Sequence, residues 1–213
     1  MTRLVLHGYW RSTASYRVRI GLALKGLEYE HAPHDLRTGQ QHDPRFKALS
    51  PQGLVPVLET PDGTISQSLA ILEWLEERFP SPALLPSAPG DRAVVRAMAN
   101  VVACDIHPLN NLRVLNALQS DFSASPGQVT AWIERWIMDG FNGLEPAIVR
   151  HGERFAFGDE PGLADCCLVP QVYSARRFGV DLTPFPAILA VNELALGIPA
   201  VAASHPDRQP DAG

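Results

Sequence analysis

Between Pro80 and Asp91 the chain carries four prolines and a glycine, and the character of the sequence changes across that break. Proline has no backbone N–H and a fixed φ, so a segment this rich in it ends regular structure on both sides. Ahead of the break, short apolar runs alternate with helical patterns. From Arg92 onward the pattern is helical with no convincing strands. The chain is therefore expected to form an α/β domain with a mixed sheet over residues 1–82, a linker, and an all-α domain over residues 91–213.

In the first part, Leu4-Val5-Leu6 suits a buried strand. A hydroxyl-rich turn follows, then a helix that stops at Gly26. That helix shows a polar stripe at Arg17, Gly21, Lys25 and Glu28, with Arg19 off the stripe and so expected to be partly buried and paired with a carboxylate. Residues 29–34 read as a second strand and 57–59 as a third. Pro61-Asp62-Gly63 is a hairpin turn into Thr64-Ile65-Ser66. Ser68 is a natural N-cap for the next helix, with Ile71, Leu72 and Leu75 at helical spacing behind it.

Beyond the linker, residues 92–118 read as one long helix bent by Pro108. On such a helix His107, Asn110, Asn111 and Arg113 would span about 160° of the surface. A second helix covers 128–150, with Trp132 and Trp136 in the core. A third covers 162–178, where Asp165 can accept from first-turn N–H groups and Arg176 and Arg177 sit at the C-terminal end. Residues 204–213, rich in proline and aspartate, are expected to be mobile.

Composition removes several classes of function. A net charge of −5 without a basic run argues against nucleic-acid binding. The odd set Cys104, Cys166 and Cys167 makes neither a disulfide framework nor a zinc motif, which favours a reducing compartment. His31, His34 and His42 lie in or beside a polar loop and lack the fixed geometry a metal needs, so no metal site is expected. No signal-like apolar run opens the chain, and residues 187–203 are broken by Asn192, Glu193 and Pro199, so no membrane span and a cytoplasmic location are expected.

The turn itself suggests chemistry. Ser12, Thr13 and Ser15 stand where helix-start N–H groups are unpaired and the dipole is positive, a place that holds an anion such as a thiolate. The plainer reading is that one of them caps the helix. Downstream, Val55-Pro56 precedes a strand. A cis proline there would leave Val55 able to pair with an extended ligand, whereas a trans one would only blunt an edge.

Taken together, Arg11-Ser12-Thr13-Ala14-Ser15-Tyr16-Arg17-Val18-Arg19-Ile20, Pro51-Gln52-Gly53-Leu54-Val55-Pro56, Gln67-Ser68-Leu69-Ala70-Ile71, Ile106-His107-Pro108-Leu109-Asn110-Asn111 and Leu163-Ala164-Asp165 resemble the zeta class of glutathione transferases. That class includes maleylacetoacetate isomerases and bacterial maleylpyruvate isomerases. The resemblance implies a thioredoxin-like first domain that binds glutathione, an all-helical second domain and a homodimer. It implies that Val55 pairs with the cysteinyl backbone of glutathione and that Gln67 and Ser68 hold its γ-glutamyl end. His42, Gln52 and Asn111 would reach the rest of the peptide.

Two positions depart from the family pattern. Ala14 stands where a cysteine is frequent, so glutathione must supply the only thiol. Gly162 stands where a serine or threonine usually caps the third helix. The implied activity is conversion of maleylacetoacetate to fumarylacetoacetate in aromatic breakdown: a thiolate activated by Ser12, Thr13 or Ser15 adds to the cis double bond, the bond rotates, and elimination gives the trans product. Arg11, Arg113 and Arg176 are candidates for gripping the substrate carboxylates, with Arg177 able to replace Arg176, and His107 lies on the same candidate surface. Maleylpyruvate isomerisation, general glutathione conjugation and a non-catalytic binding role are the competing readings.

Overall fold

The computed structural model describes residues 3–213. Its sheet consists of β1 (Val5–Gly8), β2 (Glu30–Pro33), β3 (Val57–Thr60) and β4 (Gly63–Ser66), in the spatial order β2-β1-β3-β4. β1 runs parallel to β2 and antiparallel to β3, so Val5 lies opposite Glu30 on one side and Glu59 on the other. β3 and β4 form the expected hairpin, closed by the Thr60–Gly63 pair. All four residues of β1 are buried, so this interior strand is withdrawn from water on both of its faces.

Helix α1 (Thr13–Leu24) packs against α3 (Ser68–Arg78) at Gly21, where a Cβ would overlap the Leu72 side chain. A short α2 (Pro44–Leu49), not anticipated from sequence, places Phe46 against His34 with ring centroids 4.2 Å apart. The polar stripe on α1 is not a solvated face. Arg17 and Lys25 are buried because α3 presents polar partners to them: Arg17 Nη1 donates to Ser68 Oγ at 3.3 Å, and Lys25 Nζ lies 2.6 Å from Glu76 Oε2. Periodicity records polarity, not which neighbour the polar side meets.

Helices α4 (Pro89–Asn100), α5 (Leu112–Ser120), α6 (Pro126–His151), α7 (Leu163–Arg177) and α8 (Pro186–Leu196) form the second part. The single helix expected over residues 92–118 is interrupted. α4 continues into a π-helical segment, Val101–Ile106, in which His107 N donates five residues back to Val102 O. A turn over residues 107–111 then precedes α5. Pro108 supplies the break, since it has no N–H to carry the ladder forward. The widened turn also carries Ile106 onto α6 at Gly140, where a Cβ would overlap it.

Beyond α4, whose cap Ala88 makes no side-chain bond, side chains serve the helix starts in this part. Ser125 and Gln128 form a capping box at α6. At α7, Asp165 accepts from Gly162 N and Ala156 N, both at 2.9 Å. Glu145 reaches from α6 to accept from Ala187 N and Ile188 N at the start of α8. Among the described residues no helix is long and apolar enough to cross a membrane.

The chain divides into two compact units, one of residues up to Leu84 together with Gly197–Gly213, the other Leu85–Leu196. The expected second domain, 91–213, therefore loses its last stretch, which includes α9 (Pro199–Ala203), to the first unit. The reason is a set of hydrogen bonds that sequence spacing does not display. Arg19 Nε donates to Ser204 O at 3.0 Å, Trp10 N to Asp211 Oδ2 at 2.9 Å, and Arg37 Nη1 to Gly213 O at 2.6 Å. The segment expected to be mobile is docked.

Candidate functional site

The turn between β1 and α1 separates its three hydroxyls. Ser12 is the N-cap of α1, with extended backbone, and its Oγ accepts from Ser15 N at 3.2 Å. The residue is partly exposed, and its hydroxyl keeps its own proton as a donor. Ser15 is fully buried and faces back to the strand, its Oγ accepting from Tyr9 N at 3.4 Å. The close approach of Gly8 to Ser15 Oγ, where a Cβ would come within 3.2 Å, shows how little room it has. Thr13 is also buried. Of the two readings of the turn, the structure shows the cap: Ser12 caps α1 from a partly exposed position.

Arg11, immediately before the cap, is partly exposed and its guanidinium lies 5.3 Å from the centre of the Trp10 ring. That contact restrains the side chain without consuming its hydrogen-bond donors.

Two further segments of the same unit carry the other residues. In the loop before β3, Ser50 Oγ donates to Leu54 O and accepts from Leu54 N, at 2.9 and 3.2 Å. Gly53 sits at φ 64°, with a built Cβ only 2.9 Å from Gln41 O, so a side chain is excluded. The Val55–Pro56 peptide is cis, and Val55 lies outside the β3–β4 ladder, which starts at Val57. At the start of α3, Gln67 holds φ 71°, ψ 117°, a conformation costly for a residue with a side chain, and one that the surrounding structure must impose.

Gln67 Nε2 donates to Gln52 Oε1 at 3.3 Å, so the two glutamines expected to contact one ligand are brought together. Ser68 occupies the first helical position rather than the cap, and its Oγ accepts from Arg17. His42 ends a 3-10 turn, Gln40–His42, exposed and 3.2 Å from the Gln41 amide nitrogen.

The remaining candidates belong to the second unit. Asn111 caps α5, its Oδ1 accepting from Arg113 N at 3.1 Å, and so is used within its own helix. Arg113 is exposed, and His107 lies on the turn rather than on a helical face. Arg176 pairs with Glu193 at 2.8 Å on an exposed surface, and Arg177 stacks 4.4 Å over Phe178. Arg176 is thus tied to a carboxylate of the chain itself.

His7, His31 and His34 of the first unit have side-chain partners. His7 bridges His34 Nε2 at 2.9 Å and Glu59 Oε1 at 2.7 Å, and His31 Nδ1 lies 3.7 Å from Asp211. Burial lowers the pKa of both His31 and His34 below the usual imidazole range. Among the described residues, no group of three or more His, Cys, Asp or Glu is arranged to hold a metal ion.

Sequence reasoning missed Arg17 and Asp211. Arg17 sat on a polar stripe, and Asp211 lay in a segment whose composition suggested mobility. Neither carries a local signal, because both work through partners 51 and 201 residues away.

Residues 6–83 match the family model for the glutathione S-transferase N-terminal domain. The chain is 50% identical over 209 residues to a maleylacetoacetate isomerase of Pseudomonas aeruginosa, with 97% of each chain covered. Among solved structures, a bacterial maleyl pyruvate isomerase of the zeta class superimposes with a TM-score of 0.96 at 47% identity, covering 98% of this chain and all of that one. Maleylacetoacetate isomerase from Anaeromyxobacter dehalogenans, with glutathione in its active site, matches with a TM-score of 0.91 and 47% identity, covering 100% and 99%.

Proposed function

The chain belongs to the glutathione S-transferase family, in its zeta class, and from that membership we propose that it is a glutathione-dependent cis–trans isomerase of maleyl dicarboxylates. The reaction assigned is maleylacetoacetate to fumarylacetoacetate. Maleylpyruvate is the alternative substrate, since relatives of both names align at similar identity. The observation that carries the reading is the N-cap hydroxyl of Ser12, held by Ser15 N and presenting its proton beside a helix start, in a turn where Ala14 offers no thiol.

The residues of the first unit suit glutathione. Val55, outside the ladder, has a backbone able to pair with an extended peptide. Gln67 and Gln52, 3.3 Å apart, and Ser68 at the start of α3 suit the γ-glutamyl end, where a carboxylate is favoured by helix-start N–H groups. His42 lies near Gly53 in the same loop region, its Nδ1 3.4 Å from a built Cβ. Glutathione supplies, when bound, the sulfur nucleophile that the turn lacks.

The chain's own residues do the rest. Ser12 donates a hydrogen bond that favours the ionised sulfur, assisted by the positive end of the α1 dipole. Thr13 and Ser15 are both buried, which favours Ser12 as the activating hydroxyl. Arg11 takes a substrate carboxylate through its guanidinium fork and offsets charge developing on the conjugated carbonyl. Arg113 and His107 remain candidates for the far end of the substrate. Asn111, committed to its cap, and Arg176, committed to Glu193, are the weaker assignments.

Assembly as a homodimer in the cytoplasm, serving aromatic breakdown, belongs to the same proposal and rests on family membership. Isomerisation assays on both maleyl substrates, with and without glutathione, test the reading. Turnover that requires glutathione is the expected result. Conjugation of a chlorinated aromatic with no isomerisation of either substrate would overturn it.

A further inference from the structure

The peptide unit of Trp10 is held on both sides from outside its own turn. Its N–H donates to Asp211 Oδ2 at 2.9 Å, and its carbonyl accepts from Arg19 Nη2 at 2.9 Å. Arg19 is buried and also donates through Nε to Ser204 O at 3.0 Å. Both grips on Trp10 therefore lead to residues 204–213, one directly and one through Arg19. Two further contacts hold that segment in place. Arg37 Nη1 donates to Gly213 O, and the Asp211 carboxylate lies 3.7 Å from His31 Nδ1 on β2.

Arg11 and Ser12, the residues assigned above to the substrate carboxylate and the sulfur, follow Trp10 directly. Within the turn, Ser12 N donates to Tyr9 O at 3.0 Å and Tyr9 N to Ser15 Oγ at 3.4 Å. Those bonds join the two ends of the turn. The peptide between them takes its orientation from Asp211 and Arg19. A backbone N–H withdrawn from water needs an acceptor, and here the acceptor comes from 201 residues away.

We propose that Asp211 is a positioning residue of the active-site turn, and that residues 204–213 clamp the Trp10 peptide so that Arg11 and Ser12 are presented at fixed places. The proposal rests on the roles given above to Arg11 and Ser12. Rate in such a site depends on placement, since displacements near 1 Å cost on the order of 10²-fold. The clamp acts where the substrate and the sulfur meet. Gln67, Ser68 and Val55, assigned to the peptide of glutathione, lie on other segments, so the clamp bears on sulfur activation and substrate placement rather than on retention of glutathione.

Three substitutions separate the contributions. Asp211→Ala removes the acceptor. Asp211→Asn keeps an acceptor oxygen without the charge. Asp211→Glu keeps the charge but moves the carboxylate by one methylene. In the ligand-free protein, amide hydrogen exchange at Trp10, Arg11 and Ser12 should quicken about 3- to 10-fold in Asp211→Ala, the equivalent of one ordinary hydrogen bond, with sheet amides unchanged. Isomerase kcat/KM for the maleyl substrate should fall by about the same factor while the KM for glutathione stays put. Asp211→Asn should restore both.

Unchanged exchange in Asp211→Ala overturns the proposal, as does faster exchange with unchanged turnover, or an Asn variant as impaired as Ala. Should Asp211→Ala not fold, Asp211→Glu is read in its place, with the same expected rise in exchange and the same overturning result. If the unmodified protein isomerises neither substrate, the functional reading falls, and exchange in the Ala and Asn variants alone decides the clamp.

Discussion

Lys25 Nζ and Glu76 Oε2 lie 2.6 Å apart with both side chains withdrawn from solvent, joining the end of α1 to α3. The ammonium also donates to Phe79 O, and the same carboxylate oxygen accepts from Leu84 N. Each ion is therefore satisfied by backbone as well as by its partner, which a buried pair needs if it is not to be a net cost. The residues joined run up to the proline-rich break, so this pair anchors the exit of the chain from the first unit.

Glu76→Ala should destabilise the protein by about 3–5 kcal/mol, because it leaves a buried ammonium uncompensated. The double variant Lys25→Met with Glu76→Leu should recover much of that loss. Denaturant unfolding of the three variants checks both statements. A single variant within about 0.5 kcal/mol of the parent would contradict the assignment of a buried pair.

Ser12→Ala should lower isomerase turnover on the order of 10²-fold, the scale for removing one donor from developing negative charge. It should also move the rising limb of the pH–rate profile to higher pH, since losing a donor to the thiolate raises the thiol pKa. Its stability cost should be about 1 kcal/mol through the lost cap. Ser15→Ala should leave the pH profile in place. Parallel pH–rate profiles decide between the two hydroxyls.

Gln67→Gly should raise stability by about 1 kcal/mol, the strain relieved at positive φ less the added entropy of an unfolded glycine. The same change should weaken glutathione binding by removing the amide that meets Gln52. Thermal unfolding and titration calorimetry on one preparation test this opposition. Loss of stability without loss of binding would refute it.

Asp165 is buried, and burial pushes its pKa up to about 6 even though Ala156 N and Gly162 N both donate to it. A carboxyl with a raised folded-state pKa binds its proton more tightly folded than unfolded. Its stabilising contribution is complete below about pH 4 and is lost as pH rises through about 6. The swing amounts to about 3 kcal/mol. Asp165→Asn should abolish this slope between pH 4 and 6 in denaturant unfolding, and a slope that persists would exclude Asp165 as its source.

Arg11→Met should raise the KM for the maleyl substrate about 10-fold or more, as expected for loss of a charge-assisted fork, with glutathione KM unchanged. An unchanged substrate KM would remove Arg11 from its assigned role.

By itself the sequence determined the parts whose signal is local. Apolar runs bounded by turn residues marked β1, β3 and β4, and the proline-rich segment marked the boundary near Leu84. The hydroxyls at a helix start marked the turn, because capping chemistry is written within four residues. Tertiary structure alone decided which of those hydroxyls faces outward, because Ser15 is turned in by Tyr9 N and by the closeness of Gly8. It also decided that Arg17 and Lys25 are core residues, that residues 107–111 are a turn, and that residues 204–213 return to hold Trp10. The burial of Arg17 and Lys25 and the return of residues 204–213 depend on partners far along the chain, and a pattern read over one or two helical turns carries no record of them.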